Sequence, residues 1–228
     1  MTRAIRILFY LFIVRPFLYL IIGIRIKGRE HLKTEGQVLI ISNHNSHLDT
    51  VVIFDMIGVW RMHRYRPVAA ADYFESSWLV HFVTLLLFNI LPIRRVKGSE
   101  KGGDPMATMA EALDRGESLI LFPEGTRGEP EKMARFRIGA GRLIEKYPHI
   151  KVIPLHQHGL GRIMPRGEWL PVPFIGLVNV GAPRRFHGSA EEITTKLEDV
   201  ITQLGREIRG EVEPDEDGGR TALEPESE

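Results

Sequence analysis

The chain contains no cysteine. That excludes disulfides, a thiolate nucleophile and cysteine-held zinc, and it leaves the compartment open. Aromatic residues make up only 8% of the 228 positions, and none falls within residues 210–228. That stretch, GEVEPDEDGGRTALEPESE, holds eight acidic residues and one arginine. With so little apolar surface to bury, it reads as a disordered acidic tail. Net charge is nearly absent as well, at +1 overall. The balance is uneven, however: without the tail, 29 basic and 21 acidic residues remain, a net of +8 for residues 1–209. A basic body suits an anionic partner such as a phosphorylated substrate or an anionic lipid surface. Nucleic acid is the less suitable anion, because no recognisable binding module is present and the N-terminus is strongly apolar.

A long unbroken hydrophobic run is also missing. Residues 5–26, IRILFYLFIVRPFLYLIIGIRI, come close, but Arg15-Pro16 divides two apolar runs of eight, Ile7–Val14 and Phe17–Ile24. Each half is too short to span a bilayer, whose core needs about 20 apolar residues. A central arginine would cost about 2.5–3.5 kcal/mol there, and a proline kinks a helix. The segment therefore reads as a helix or helical hairpin dipping into one leaflet, with Arg3, Arg6, Arg25, Lys27 and Arg29 near the headgroups. One spanning helix and a core helix are the alternatives. A cleavable signal is disfavoured, since no small-residue cleavage site follows.

What the chain does have is alternation. Buried-strand patterns at 37–42, 118–122, 151–159 and 173–181, and extended segments at 65–71 and 90–95, are separated by helical patterns at 47–60, 73–88, 104–115, 133–146 and 189–208. This predicts an α/β fold, with a mostly parallel or mixed central sheet covered by helices. The expected organisation is a membrane-associating helical segment over 1–28, an α/β domain over 29–209 and the acidic tail over 210–228.

Three stretches carry possible chemistry. In NHNSHLD, His44 and Asp49 are five residues apart. On one helix they would not meet, but a turn at Asn45-Ser46 lets Asp49 reach back to the imidazole, fixing its tautomer and raising its basicity. A turn-capping histidine is the bland alternative. A metal reading would use His44, His47 and Asp49 with His156 and His158 from HQH, but no spacing here is a specific ligand pattern. In LFPEGTRG, Pro123 cannot continue a strand and Gly125 permits a tight turn, which thrusts Glu124, Thr126 and Arg127 into a loop at the sheet edge. Arginine beside turn amides is a good phosphate receptor. In NILPIRRVKG, alternation puts Arg95 and Lys97 on one face and Arg94 on the other.

Together these stretches resemble the glycerolipid acyltransferase family that makes phosphatidic acid from lysophosphatidic acid, over roughly residues 25–185. The N-H-x-x-x-x-D block is matched by Asn43, His44 and Asp49, and F-P-E-G-T-R-S by Phe122 to Arg127, with Gly128 in place of the serine. The G-x-x-F-I-x-R block is partly met: Asn89 stands for the glycine and Pro92 for the phenylalanine, while Ile93 and Arg95 match. Val152–Leu155 corresponds to the family's apolar block with proline, and Arg137–Gly139 to a basic-glycine pair.

The resemblance implies transfer of a fatty acyl chain from acyl-CoA or acyl carrier protein to the sn-2 hydroxyl of lysophosphatidic acid, with no cofactor and no metal. His44 is then the general base, oriented by Asp49. Arg95, Gly125, Thr126 and Arg127 would bind substrate, and Glu124 would hold the arginines or an acceptor hydroxyl. A phospholipid bilayer is the implied partner, at the cytoplasmic face of the cell membrane. Another lysophospholipid, glycerol-3-phosphate or an acylated amino-acid lipid as acceptor, and a catalytically silent lipid-binding protein, are the competing expectations.

Overall fold

A computed structural model describes residues 2–46, 48–71, 88–93, 104–126, 128–129, 131–163 and 175–210. Seven strands form one mixed sheet: β1 (Gly23–Lys27), β2 (Val38–Ser42), β3 (Tyr65–Ala70), β4 (Leu91–Ile93), β5 (Ser118–Leu121), β6 (Lys151–His158) and β7 (Ile175–Val180), in the order β1-β7-β6-β2-β5-β3-β4. Five of them, from β6 to β4, run parallel; β7 pairs antiparallel with β6, and β1 parallel with β7. The C-terminal ends of β6, β2 and β5 therefore lie side by side at one sheet edge, the position where open α/β sheets place their ligands.

The strand sequences explain the burial. In β2, Val38 and Ile40 point into one apolar cluster and Leu39 and Ile41 into the other, so that both faces are covered. This is the period of two, with both faces apolar, that a central parallel strand requires. Helices α4 (Pro105–Asp114), α5 (Gly139–Lys146) and α7 (Ala190–Arg209) cover one face. The N-terminal helix and α3 (Leu48–Ile57) cover the other, together with the short α6 (Leu160–Ile163). The caps follow the sequence: Asp104 accepts from Met106 N–H at the start of α4, and Ser189 and Glu192 form a reciprocal capping box on α7. Gly116, at φ +79°, follows the end of α4.

Two expectations need correction. The apolar stretch 5–26, read as a helix or helical hairpin, is helical only as far as Ile21. It forms α1 (Thr2–Phe9), a π-helical turn (Tyr10–Val14) and α2 (Arg15–Ile21), and then enters the sheet as β1. Residues 23–27 thus belong with the α/β sheet rather than with a segment ending at 28. An apolar run by itself does not distinguish a buried strand from a helix. The π turn, in which Arg15 N–H returns to Tyr10 O, eases the chain into Pro16. It also keeps Tyr10, Val14, Leu18 and Ile22 all buried in one cluster. In an unbroken α-helix, residues four apart would drift by about 40° per step. Arg15 itself pairs with Asp55 of α3 at 3.1 Å and lies over the Tyr19 ring. Among the described residues no helix is long and apolar enough to cross a membrane.

The helix expected from residue 133 begins only at Gly139. The amides before it are engaged elsewhere: Ala134 N–H by Glu124, Phe136 N–H by Glu198 and Arg137 N–H by Pro123 O. Gly141 is then required for packing, because a Cβ there would lie 2.1 Å from Ala190 O on α7. The expected helix over 73–88 falls, except for Phe88, outside the described residues, as does the tail beyond Gly210.

Candidate active site

The parallel register of β2 and β5 assembles the site. Ile41 is paired with Leu121. Three residues further on each chain come His44 and Glu124, and they touch: His44 N–H donates to Glu124 Oε1 at 2.7 Å. On the other side of β2, Asn43 closes onto β6. Its Nδ2 donates to Gln157 O and its Oδ1 accepts Gln157 N–H, both at 2.8 Å, and Asn45 Nδ2 donates to the same carbonyl at 3.0 Å. The histidine loop is therefore held from both neighbouring strands.

After this loop the chain turns as the His44–Asp49 spacing demands. Leu48 N–H donates to Ser46 Oγ, and Asp49 sits in the first turn of α3. Its Oδ2 accepts three donors, Asn45 N–H at 2.6 Å, Ser46 N–H at 2.8 Å and His44 Nδ1 at 2.9 Å. A carboxylate is an acceptor, so Nδ1 carries the imidazole proton and Nε2 keeps its lone pair. Burial raises the Asp49 carboxyl, and the hydrogen bond from His44 and the two amides work against that rise. Asp49 is fully buried, whereas the His44 side chain keeps 20% of its surface accessible. The pair is thus buried at its carboxylate and open at its imidazole. Phe122 stacks on the His44 ring, with centroids 4.2 Å apart and planes at 22°. The ring is held on one face by Phe122 and on one edge by Asp49.

Glu124, expected to hold the arginines or an acceptor hydroxyl, is itself held by the backbone of the site, and both arginines lie outside the described residues. Its carboxylate bridges two backbone amides, His44 N–H at Oε1 and Ala134 N–H at Oε2. Burial raises its carboxyl, and the two amides oppose the rise. Gly125, at φ +75°, turns the chain under Arg137: a Cβ at this position would lie 2.8 Å from Arg137 Nε. The positive φ favours glycine here, and a side chain would push the exposed Arg137 guanidinium off the loop. Thr126 is exposed beside it. Arg127, Arg95 and His47 lie outside the described residues. Strand β4 ends at Ile93, two residues before Arg95, and runs parallel to β3 and β5. Asn89, where the family block has glycine, adopts φ +53°. Asparagine is among the few side chains that tolerate this region.

The HQH histidines do not join His44 in a metal site. Among the described residues no group of three or more histidines and carboxylates could hold a metal ion. His156 is buried, and a Cβ on Gly205 of α7 would lie 2.6 Å from its ring. His158 instead pairs with Glu131 at 2.7 Å.

Comparison with known proteins shows the family and the fold. A family model described as "Acyltransferase" matches residues 23–157, more than half of the chain. The chain belongs to the acyltransferase family. The match begins at β1 and ends at Gln157, the residue that anchors Asn43 and Asn45. A chloroplastic 1-acyl-sn-glycerol-3-phosphate acyltransferase of Arabidopsis thaliana is 26% identical over 176 residues, 75% of this chain and 45% of the relative. A 1-acyl-sn-glycerol-3-phosphate acyltransferase of Pseudomonas aeruginosa is 24% identical over 195 residues, 84% of this chain and 72% of the relative. The chain spans less than half the length of several curated relatives that it matches. The crystal structure of the 1-acyl-sn-glycerophosphate (LPA) acyltransferase of Thermotoga maritima superimposes with a TM-score of 0.67 at 21% identity. That match covers 86% of this chain and 76% of the other, and shows the shared acyltransferase fold.

Some of the site was hidden from sequence reasoning. The roles of Phe122 and Gln157 depend on strand register, which no local pattern reveals. Phe122 was visible as the first residue of its block; Gln157, placed between two histidines, gave no signal.

Proposed function

We propose that this acyltransferase moves a fatty acyl chain from acyl-CoA or acyl carrier protein to the sn-2 hydroxyl of lysophosphatidic acid, giving phosphatidic acid. The observation that carries the reading is the His44–Asp49 pair at the strand end, with Nδ1 tied to a fully buried carboxylate while the His44 side chain keeps 20% of its surface accessible. Relatives named as 1-acyl-sn-glycerol-3-phosphate acyltransferases supply the acceptor class. His44 Nε2 takes the proton of the acceptor hydroxyl as its oxygen attacks the thioester carbonyl. The tetrahedral intermediate collapses, the C–S bond breaks, and the imidazolium returns its proton to the departing thiolate. Asp49 balances the charge that His44 carries in between. No acyl-enzyme is required. Arg137, resting on Gly125, and Arg95 and Arg127 from the matched blocks supply positive charge for the acceptor phosphate.

The N-terminal helix is proposed to lie on the bilayer surface. Its inner line is packed on the sheet, while Leu8 (54%), Phe12 (72%) and Leu20 (84%) are exposed. Trp60, 67% exposed, adjoins them through Arg3, which donates to its carbonyl. An exposed apolar helix face flanked by arginines fits an interfacial helix. The cytoplasmic face of the membrane is the side we propose for this surface, since acyl-CoA as donor would favour it.

The test is purified protein given labelled acyl-CoA or acyl carrier protein and a panel of acceptors in vesicles. Labelled phosphatidic acid from lysophosphatidic acid is expected. Activity only with another lysophospholipid or with glycerol-3-phosphate would replace the acceptor; no transfer to any acceptor would refute the reading.

A further inference from the structure

Glu131 adopts φ +64°, a backbone conformation that side chains bearing a Cβ rarely take. A segment needing only a turn there would be served better by glycine. What the glutamate adds is its carboxylate. Oε2 accepts Gly159 N–H at 2.8 Å and meets His158 Nδ1 at 2.7 Å, both at the end of β6. The side chain is only 9% exposed, and its Oε1 is buried with no partner among the described residues. Burial would raise this carboxyl, yet the bonds from His158 and Gly159 hold it below the usual range. Strained, buried groups of this kind persist when surrounding structure or function requires them.

The position of this contact gives it a consequence. Three residues after Glu131, Ala134 N–H donates to Glu124 Oε2, and the other oxygen of Glu124 holds His44 N–H. Arg137, three residues further, bonds Pro123 O through its amide and rests on Gly125. On the β6 side, Gly159 and His158 immediately follow Gln157, whose carbonyl holds Asn43 and Asn45. Glu131 thus ties the segment that carries Ala134 and Arg137 to the strand end that anchors the histidine loop.

We propose that Glu131 is a positioning residue for acyl transfer: by clamping residues 131–137 to the end of β6, it keeps Glu124, and through it His44, in place. The proposal rests on the acyl-transfer reading for its kinetic consequence but not for its structural one. The test uses the full chain with Glu131→Gly, which relieves the backbone strain and removes the carboxylate, and Glu131→Gln, which still accepts Gly159 N–H. With acyl-CoA and lysophosphatidic acid, Glu131→Gly is expected to lower kcat about tenfold, with the acyl-CoA KM within about twofold; small misplacements of catalytic groups have effects of this order or larger. Glu131→Gln is expected to recover to within about threefold of wild type. In histidine-labelled protein, the downfield Nδ1 proton of His44 should move or broaden in Glu131→Gly, although Glu131 does not touch it. A role confined to fold stability would leave that resonance in the folded protein and kcat below the melting temperature unchanged, and either result overturns the proposal. If Glu131→Gly does not fold, Glu131→Asn, compatible with positive φ but too short to make the clamp, is judged by the same outcomes. If wild type transfers no acyl group, the acyl-transfer reading fails, and the His44 resonance still decides the clamp.

Discussion

His44 and His158 both stand at strand ends on one edge of the sheet, and each meets a carboxylate through Nδ1, at 2.9 and 2.7 Å. Their surroundings differ. Asp49 is fully buried in the first turn of a helix and is held by two amides besides the imidazole, while Phe122 stacks on His44. Glu131 stands on a strained turn and shares its bound oxygen with the amide of the residue following its histidine. The first arrangement fixes a ring. The second fixes a loop to a strand. A histidine–carboxylate pair is therefore not by itself a catalytic signature; what is held around the pair decides its role.

Substituting the two carboxylates should separate them most. Asp49→Asn permits the other imidazole tautomer, and kcat is expected to fall by about 10²–10⁴-fold, the usual range for losing a positioned base. Glu131→Gln should remain within about threefold. Similar losses in both variants, read from steady-state kinetics, would erase the distinction.

A third histidine sharpens the comparison. His156, two residues before His158, has no carboxylate bonded to it among the described residues; burial, with Arg209 and His158 nearby, outweighs the more distant Glu131 and pushes it down to about 4. Between that value and the ordinary 6.5, the unfolded chain binds a proton that the folded chain refuses. Stability contributed at this site is thus intact above about pH 6.5 and lost as pH falls toward 4, by roughly 3 kcal/mol in all. Chemical denaturation of His156→Gln at several pH values should show a correspondingly flatter acid slope; an unchanged slope would locate the acid sensitivity elsewhere.

The smallest expected effect concerns the loop that the clamp holds. Arg137→Ala should raise the lysophosphatidic acid KM by about tenfold with little change in kcat, as loss of one charge-assisted phosphate contact would. A fall in kcat at constant KM would instead place Arg137 with the positioning groups.

The sequence made the His44–Asp49 contact readable because few residue types could serve in place of His44, Asp49 or the Pro-Glu-Gly turn after a strand. The alternation of strand and helix patterns was enough to anticipate the mixed α/β sheet. What stayed hidden depends on contacts between distant segments. Glu124 looked like a partner for arginines, yet it holds the amides of His44 and Ala134, because the β2–β5 register brings those groups together. The late start of α5 has the same origin, since amides that a helix would use are bound elsewhere. Strand β1 was read as part of a membrane segment because an apolar run of its length fits either role until a pairing partner, here β7, is known.

The central claim is that His44 takes the acceptor proton. Labelled acyl-CoA and lysophosphatidic acid in vesicles, given to wild type and to His44→Ala at equal folded concentration, test it directly. Labelled phosphatidic acid from wild type, with His44→Ala slower by at least about 10²-fold, is predicted. Equal rates in the two proteins would contradict it.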